Sequence, residues 1–344
     1  MIDLRSDTLT VPSEEMLKYM YEAEVGDDVF EEDPTVSILE KKISNQFGFD
    51  DALFCPSGTM TNQIAIKVHT NPGDEVICDR LSHIYNYEAG GVAFNSLCSV
   101  RLINSKRGVM DSLHIKKNIN NYNDIHLPVT SLVCLENTTN KGGGDYYTLR
   151  QISDIYSICK ENNLKLHLDG ARIFNAILES KISCNEMGSF FDSISVCLSK
   201  GLGCPVGSIL LGDKEFIAKS RRIRKIFGGG MRQVGYLAAC GIFALDNNVE
   251  RLLEDHKNAK KLENILIDCS WVKDVLRVKT NIVVFYVEDY KAKYYVDILK
   301  EKGILCLDLD HNKIRFVTHL NVSNSMIDKA INMLRKIYIF AEIF

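Results

Sequence analysis

Hydrophobic positions repeat with two different periods along most of the chain, and this pattern predicts strands that alternate with helices. Short apolar runs predict buried strands at 52–55, 75–78, 99–103, 131–135, 165–169, 194–198 and 206–211. Between them, apolar residues at helical spacing predict helices, and one of these begins at Asp33-Pro34 and ends at Gly48. This alternation is typical of a mainly parallel sheet with helices on both faces.

The pattern changes in the last hundred residues and predicts a second, smaller domain. Strands are expected at 281–287, 303–307 and 313–317, with helices near 291–302 and 323–336. A long helical region over 233–267 joins the two parts. We therefore expect an α/β fold in which residues 1–248 form an N-terminal arm and a large domain, and residues 249–344 form a small α+β domain.

Composition and charge exclude several classes of protein. The chain has 344 residues, of which 46% are hydrophobic and 25% are charged, and this suits a globular protein of two domains. The net charge of -4 comes with no basic stripe for nucleic acid. No apolar run is long enough to span a bilayer, and the first residues carry no apolar signal region. Eleven cysteines without CxxC spacing indicate unpaired thiols, so we expect a cytoplasmic protein.

The most informative segment is 193–207, because a buried strand there ends next to a lysine. Ser199-Lys200-Gly201 follows the apolar run directly. A buried lysine is costly unless it is paired or neutralised, and a lysine amine is the group that forms a Schiff base with a carbonyl. Taken alone, the segment also fits a surface lysine that begins a loop.

Other strand ends carry residues of complementary chemistry. A strand, a turn and a helix start follow one another over 52–68, with Gly58 and Thr59 where free N–H groups and the helix dipole suit a phosphate. The turn lacks the Gly-Lys-Ser/Thr of a nucleotide-binding loop. Asp169 ends another strand, where a carboxylate meets a ligand or caps the next helix. His83 also follows a strand, although a lone histidine is more often structural.

These residues are expected to lie together, because the carboxyl ends of parallel strands share one edge of a sheet. With Arg172 they provide a phosphate cradle, a flat ring, a carboxylate, a guanidinium and the Lys200 amine. Pyridoxal phosphate (PLP) requires a Schiff-base lysine, an anion beside its ring nitrogen, a ring on its face and a phosphate cup. The sequence therefore predicts a PLP site, in which Asp169 keeps the ring nitrogen protonated.

Seven segments, in order, also resemble the low-specificity L-threonine aldolases, a family of fold type I PLP enzymes. The segments are Asp3-Leu-Arg-Ser-Asp-Thr, Val25-Gly-Asp-Asp-Val, Glu32-Asp-Pro-Thr-Val, Pro56-Ser-Gly-Thr-Met-Thr-Asn, Leu166-His-Leu-Asp-Gly-Ala-Arg, Ser199-Lys-Gly-Leu-Gly and Gly228-Gly-Gly-Met-Arg-Gln. The resemblance runs from residue 3 to about residue 320, and in the C-terminal domain it rests mainly on residues 315–319.

The resemblance implies how the cofactor is held. Lys200 is expected to bind PLP as a Schiff base, and Asp169 is expected to pair with the pyridine nitrogen. His83 would stack on the ring, and Gly58 and Thr59 would hold the phosphate.

The resemblance also implies a substrate site. Arg172 would contact the ring hydroxyl of the cofactor and the substrate carboxylate. Ser6 and Arg315 would complete the carboxylate site, and His126 and Tyr87 would lie near the substrate hydroxyl and side chain.

The family forms homotetramers built from dimers, so a homo-oligomer is expected here. Lys225 and Arg232 would reach a neighbouring subunit's site, Lys225 toward its substrate and Arg232 toward its cofactor. Two residues depart from the family's pattern: Phe30 stands where tyrosine is usual, and Glu31 where glycine is usual.

The implied reaction is retro-aldol cleavage of L-threonine or L-allo-threonine to glycine and acetaldehyde. The carboxylate anchors would orient the bond that breaks, and a base would remove the β-hydroxyl proton. His83, His126 and an ordered water all remain candidates for that base. The alternatives are β-elimination or transamination on the same fold, and a non-catalytic PLP-fold protein, which would be expected to lose Lys200 or Asp169.

An acidic loop and a basic run stand outside this scheme. The loop, 25–33, fits either a cation site or a solvated surface, although it lacks calcium-loop spacing, and no metal is predicted. The basic run, 221–225, fits either a solvated helix face or, with the glycines at 228–230, an approach to an anion.

Overall fold

A seven-stranded sheet forms the centre of the larger part of the molecule in the computed structural model, which describes residues 1–337. The first eight strands of the chain are β1 (Ile2–Asp3), β2 (Asp51–Cys55), β3 (Glu75–Asp79), β4 (Ser99–Ile103), β5 (Thr130–Glu136), β6 (Lys165–Gly170), β7 (Ser193–Cys197) and β8 (Ser208–Gly212), and all of them except β1 belong to this sheet. The spatial order of the central sheet is β2-β8-β7-β6-β5-β3-β4. The pairs from β7 through β4 are parallel, which confirms the predicted mainly parallel sheet.

Strand β8 departs from the parallel pattern, because it runs antiparallel to both β7 and β2. Only residues 198–207 connect β7 to β8. A parallel crossover requires a dozen or more residues and usually a helix, so this short loop forces a reversal. The loop contains Lys200 and holds it at the carboxyl end of β7.

Helices cover both faces of the central sheet, as the sequence predicts. They are α1 (Glu14–Tyr21), α2 (Pro34–Phe47), α3 (Gly58–His69), α4 (His83–Asn86), α5 (Gly91–Ser96), α6 (Ser112–Asn118), α7 (Leu149–Glu161), α8 (Ile173–Ser180), α9 (Cys184–Gly188), α10 (Lys214–Ile226), α11 (Gly235–Asn247) and α12 (Leu252–Ile267). The predicted bounds of α2 are confirmed: Asp33 accepts hydrogen bonds from the backbone N–H groups of Thr35 and Val36, and Gly48 ends the helix with φ 74°.

The single long helical region expected over 233–267 is wrong, because the structure divides it into α11 and α12. Helix α11 ends at Asn247, and the side-chain amide of the C-cap residue Asn248 donates to the carbonyl oxygen of Leu202 at 2.8 Å. The break between α11 and α12 lets the two helices pack into different hydrophobic cores. Helix α11 belongs to the core of the large sheet, whereas α12 contributes residues from Ala259 onward to a second core.

The second core lies around a four-stranded antiparallel sheet. Its elements are β9 (Asp274–Val275), β10 (Ile282–Tyr286), α13 (Ala292–Glu301), β11 (Ile304–Leu305), β12 (Leu307–Asp310), β13 (Lys313–Val317) and α14 (Asn324–Leu334), and the sheet order is β12-β13-β10-β9. The single strand expected at 303–307 is divided in two. Strand β11 pairs in parallel with β1, and β12 pairs with β13.

The N-terminal arm joins the two cores, although the sequence assigns it to the large domain. Ile2 and Leu4 are buried in the second core, and the backbone N–H of Val317 donates to the carbonyl oxygen of Leu4 at 2.9 Å. The first core extends to Leu252. We propose that the domain boundary lies in this part of the chain, near the expected position between residues 248 and 249.

Two expectations about the whole chain can be compared with residues 1–337. All eleven cysteines are free thiols, and Cys184 is the only one that is not buried. In the described part of the chain, no helix combines the length and the apolar character that crossing a membrane requires.

Candidate active site

A cavity of about 290 Å³ opens at the carboxyl edge of the central sheet. Its walls come from the N-terminal arm, the start of α3, α4, the end of β6 and the loop after β7. The lining residues are Thr8, Ser57, Gly58, Thr59, Asn62, His83, Asp169, Ala171, Cys197, Ser199, Lys200 and Pro205. The structure thus brings together five residues that the sequence places at one site.

Lys200 enters this cavity with its amine free of ion pairs. No carboxylate of residues 1–337 forms a salt bridge with it, and within these residues Nζ donates a hydrogen bond only to the Cys197 sulfur, at 3.8 Å. The backbone of Lys200 is held by the N-terminal arm, because Thr10 Oγ1 donates to the Lys200 carbonyl oxygen at 2.7 Å. An amine held by its backbone and unpaired at its tip is suited to forming a covalent bond with a carbonyl.

Asp169 faces the cavity from β6 and is 3% exposed. Asn62 Nδ2 donates to Oδ2 at 2.9 Å, and the backbone N–H of Ala171 donates to Oδ1 at 3.1 Å. A carboxylate accepts about four hydrogen bonds, so Asp169 retains acceptor capacity for a ring N–H. The alternative that Asp169 caps the next helix does not hold, because the N-cap of α8 is Arg172.

The N-terminus of α3 supplies an anion cradle. Ser57 caps the helix, and its Oγ accepts a hydrogen bond from the backbone N–H of Met60. A Cβ at Gly58 would lie 2.4 Å from Cys197 Sγ, so the backbone here fits only glycine. Free N–H groups beside the Thr59 hydroxyl at the positive end of a 12-residue helix suit a phosphate.

His83 begins α4 and is held by two buried carboxylates. Its backbone N–H donates to Glu136 Oε2 at 2.9 Å, and its ring Nδ1 lies 3.0 Å from Glu88 Oε1. Burial lowers the pKa of His83, but the Glu88 hydrogen bond and the charges of Asp169, Glu88 and Glu136 outweigh burial and raise it. Burial and the charge of Asp169 also raise the pKa of Glu136, to about 7.

Sequence reasoning missed both carboxylates that hold His83. Glu136 ends β5, beside Asp169 in the next strand, and a carboxylate at a strand end is the signal that would have indicated it. Glu88 lies beyond the end of α4, and no motif points to it.

Arg172 lies beside the cavity and is paired with Asp7 of the N-terminal arm. Its Nε and Nη2 each donate to Asp7 at 2.7 Å, and both side chains are buried. Burial by itself raises the pKa of Asp7, but the charge and hydrogen bonds of Arg172, with the charge of Lys200 and a hydrogen bond from Asn281, hold it at about 2. In residues 1–337 only Nη1 of Arg172 remains without a hydrogen bond.

Arg315 approaches the same edge from β13 of the second core. Its Nη1 donates to Asn140 Oδ1 at 2.8 Å, and its Nη2 donates to the carbonyl oxygen of Arg5 at 3.1 Å. Its Nε is buried without a partner among the described residues. Burial and the neighbouring charge of Arg172 lower the pKa of Arg315. Arg172 and Arg315 are near enough for their charges to interact, and at this corner Arg172 Nη1 and Arg315 Nε have no hydrogen-bond acceptor among the described residues.

Ser6 precedes Asp7 in the N-terminal arm, and Tyr87 follows the last residue of α4. Ser6 follows Arg5, and its Oγ accepts hydrogen bonds from the backbone N–H and hydroxyl of Thr8. The Tyr87 ring lies 5.5 Å from the His83 ring, and its side chain is about half exposed. These placements are compatible with the substrate-site roles that the resemblance implies.

Comparison with known proteins agrees with this geometry. The sequence profile of the family described as beta-eliminating lyase matches residues 3–290. The chain is 40% identical over 344 residues to the probable low-specificity L-threonine aldolase 2 of Arabidopsis thaliana, covering 98% of this chain and 97% of that protein. It is 40% identical to the low specificity L-threonine aldolase of Escherichia coli strain K12 over 329 residues, covering 95% and 96%.

The chain belongs to the low-specificity threonine aldolase family. The expected family, lyase class and PLP cofactor are thereby confirmed. Among solved structures, the threonine aldolase of Leishmania major superposes with a TM-score of 0.85 at 21% identity, covering 97% of this chain and 99% of that one. A putative L-allo-threonine aldolase of Listeria monocytogenes gives 0.81 at 22% identity, covering 97% and 96%. At such low identity these two structures confirm the fold.

Seven residues expected at a threonine aldolase site are not among those that line the cavity of this chain. Ser6, Tyr87, Arg172 and Arg315 have the positions described above. The other three are His126, Lys225 and Arg232. His126 lies in the loop between α6 and β5, where its side chain is 85% exposed and Nδ1 lies 3.0 Å from Asp124. Lys225 is in the last turn of α10 and lines a separate surface cleft. The Arg232 guanidinium forms an ion pair with Asp27 at 2.8 Å.

The acidic loop forms ion pairs with the basic run and with Arg232, which neither of the interpretations offered for the two segments included. Besides the Asp27 pair, Asp28 binds Arg224 at 2.7 Å with both side chains buried, and Glu31 binds Arg221 at 3.1 Å. Glu31 adopts φ 61°, a left-handed conformation that favours glycine. This backbone geometry suits the glycine that the resemblance leads us to expect at position 31.

Proposed function

We propose that this protein cleaves L-threonine and L-allo-threonine to glycine and acetaldehyde, with PLP as cofactor. The observation that carries the proposal is the free amine of Lys200 beside Asp169 and His83 in one cavity. The names of the relatives at 40% identity support it, since both are low-specificity L-threonine aldolases.

The residues that line the cavity include a candidate for each contact that PLP needs. When bound, PLP provides a carbonyl for the lysine amine and a ring that takes up the electron pair of a bond broken at Cα. Lys200 would form the covalent link, and Asp169 would accept a hydrogen bond from the ring nitrogen. Gly58 and Thr59 at the start of α3 would bind the phosphate, and His83 would cover the face of the ring.

The carboxylate of the substrate is bound at the corner formed by the two arginines. Arg315 offers its buried Nε, and Arg172 offers Nη1, because Asp7 occupies its other two donor groups. Ser6 lies next to Arg5, whose carbonyl oxygen orients Arg315. Holding the carboxylate sets which Cα bond stands perpendicular to the cofactor ring, and aligned geometry of this kind accounts for much of the rate.

His83 is the base that we assign to the β-hydroxyl proton. It lines the cavity, and although burial lowers its pKa, the Glu88 hydrogen bond and the charges of the nearby acidic groups outweigh burial and raise it. Tyr87, beside it, meets the side chain of the substrate. A histidine that titrates near neutral pH is well matched to this step.

We further propose that the active form is a cytoplasmic homotetramer built from dimers, with sites shared between subunits. In this assembly His126, Lys225 and Arg232 reach a neighbouring subunit's cavity. The support is their position on the surface of the described chain: His126 is 85% exposed, and its neighbour Ile125 is 93% exposed. An isoleucine so fully exposed beside a histidine suits a contact between subunits.

Acetaldehyde release tests the proposed function. The purified, PLP-loaded protein receives L-threonine or L-allo-threonine without any keto acid, and acetaldehyde and glycine are measured. Equal amounts of both products are expected, and Lys200→Ala should show neither turnover nor the visible absorbance of bound cofactor. Ammonia and a keto acid instead of acetaldehyde would assign β-elimination, and a colourless, inactive wild-type protein would overturn the assignment of Lys200.

A further inference from the structure

Glu88 is a buried carboxylate that contacts His83 directly and is connected to Asp169 through Asn62. Its side chain is 0% exposed. Asn62 Nδ2 donates to it at 2.9 Å and Gln63 Nε2 at 2.6 Å, and His83 Nδ1 lies 3.0 Å from Oε1. In the described part of the chain, no lysine or arginine forms a salt bridge with Glu88. Its charge is therefore balanced by amide donors and by the His83 ring.

The hydrogen bonds of Glu88 determine which nitrogen of His83 carries the hydrogen. Two amide N–H donors on its oxygens favour the ionised carboxylate, which only accepts hydrogen bonds. His83 Nδ1 must therefore donate to it. In a neutral imidazole the other nitrogen then has the free lone pair. His83 lines the cavity, and Nε2 makes no hydrogen bond within residues 1–337, so it is available to a bound molecule.

Asn62 connects this pair to the carboxylate that faces the cofactor. Its Nδ2 donates to Glu88 Oε1 and to Asp169 Oδ2, both at 2.9 Å. Both acceptors lack donor hydrogens, so the amide orientation is determined, and Oδ1 faces His167 Nε2 at 3.2 Å. The hydrogen-bonded group of Glu88, Asn62 and Asp169 thus holds His83 in a single orientation relative to Asp169.

We propose that Glu88 is a positioning residue that holds His83 as the Nδ1–H tautomer and so presents Nε2 as the acceptor for the β-hydroxyl proton. This inference rests on the proposed function, because it concerns the same reaction. As the O–H bond breaks, the proton passes to Nε2; the Cα–Cβ bond breaks, the aldehyde C=O forms, and the electron pair remains on Cα, where the cofactor stabilises it. Glu88 itself is not among the residues that line the cavity, so we assign it no contact with substrate or cofactor.

The charged groups that act on His83 are Glu88 after α4, Asp169 in β6 and Glu136 at the end of β5. The Tyr87 ring lies beside the His83 ring, and Lys200 lines the same cavity. Burial lowers the pKa of His83, and the Glu88 hydrogen bond is the first of the opposing effects that raise it. Removal of the Glu88 charge should therefore lower this pKa.

The test compares Glu88→Gln with Glu40→Gln. Glu40 is a matched control, because it is also a buried, hydrogen-bonded carboxylate, and it contacts Phe54 and Arg221 rather than His83. The pKa of His83 is measured in the cofactor-free protein from the pH dependence of its reaction with diethyl pyrocarbonate, followed by mass spectrometry of the His83 peptide. Glu88→Gln should lower this pKa, and Glu40→Gln should leave it unchanged.

Kinetics of the PLP-loaded protein provide the second readout. Glu88→Gln should reduce kcat about tenfold to a hundredfold and shift the acidic limb of kcat/KM to lower pH, which a purely structural role would not do. His83→Asn combined with Glu88→Gln should be no slower than His83→Asn alone, because both act through one group.

Two results would overturn the inference: an unchanged His83 pKa in Glu88→Gln, or additive losses in the double variant. If Glu88→Gln fails to fold, the His83 pKa of the wild-type protein is the test. A value at or below about 6.5 would contradict the pairing of His83 with Glu88. The third outcome is a lowered His83 pKa in Glu88→Gln together with a wild-type protein that cleaves neither L-threonine nor L-allo-threonine. This result would contradict the proposed function and still support the Glu88–His83 pairing.

Discussion

Arg172 and Asp7 form a bidentate ion pair that connects the large sheet to the N-terminal arm. The guanidinium follows the strand that carries Asp169, and the carboxylate lies 165 residues earlier in the chain. Asn281 of the second core also donates to Asp7, at 3.1 Å. One buried carboxylate therefore joins the arm, the large sheet and the small sheet at the edge of the cavity, and leaves one nitrogen of Arg172 for a ligand.

Asp7→Asn should be strongly destabilising. Breaking a buried ion pair leaves an uncompensated charge and costs about 3 to 5 kcal/mol, whereas loss of an exposed pair costs about 0 to 1 kcal/mol. Asp3→Asn is the matched control, because Asp3 pairs with Arg5 in the same arm but both side chains are partly exposed, at 31% and 43%. Urea unfolding measures both free energies. Similar losses for the two variants would contradict the importance of burial at Asp7.

The contribution of Asp7 to stability should also depend on pH. Its folded pKa, about 2, lies below the ordinary value, so the contribution is complete above about pH 4 and is lost as the pH falls through the folded value. The shift corresponds to about 2 to 3 kcal/mol, of which about half is lost by pH 3.

Wild-type protein and Asp7→Asn should therefore differ less in their free energies of unfolding at pH 3 than at pH 6. Comparing the two proteins at each pH cancels the titration of the other carboxylates. A difference that is constant or that grows toward low pH would contradict the assigned pKa.

The sheet and most of its helices were predictable because their signals are local. The bounds of α2 come from a cap, a proline and a glycine within the same 16 residues, and the cofactor residues of the cavity follow from strand ends in a parallel sheet. Strand β8 could not be oriented from its own pattern, because its direction depends on the length of the loop before it.

The residues that the sequence analysis missed are those whose role depends on distant contacts. Asp7 lies in a polar arm that looks expendable, and its importance comes from Arg172 and Asn281. Glu88 is a charged residue that reads as surface, and its burial comes from packing against α3. Their contacts span sequence separations that periodicity does not detect.

Gly58→Ala should weaken cofactor binding, because a Cβ would lie 2.4 Å from Cys197 Sγ. Overpacking of this kind costs about 1 to 3 kcal/mol. The dissociation constant of PLP, measured by fluorescence, should rise, and Cys197→Ala in the same chain should restore much of the affinity by making space. If the double variant binds PLP no better than Gly58→Ala, the steric explanation is wrong.

Glu31→Gly should be more stable than Glu31→Ala by about 1 kcal/mol. Both variants lose the ion pair with Arg221, but only glycine relieves the left-handed conformation at φ 61°. Thermal unfolding of the two variants, side by side, measures the difference. Equal stability would show that the backbone at this position carries no strain.

Arg315→Lys should impair substrate binding while leaving the cofactor in place. Lysine keeps the positive charge but cannot reproduce the planar guanidinium that binds Asn140 and the Arg5 carbonyl oxygen while its Nε stays available. The KM for L-threonine should rise at least tenfold, since loss of one charge-assisted hydrogen bond costs about 1.5 to 3 kcal/mol. The visible absorbance of bound PLP should be unchanged, because Arg315 is not among the residues that line the cofactor cavity. A lower affinity for PLP with an unaltered KM would instead place Arg315 at the cofactor and leave the substrate carboxylate to Arg172 and Ser6.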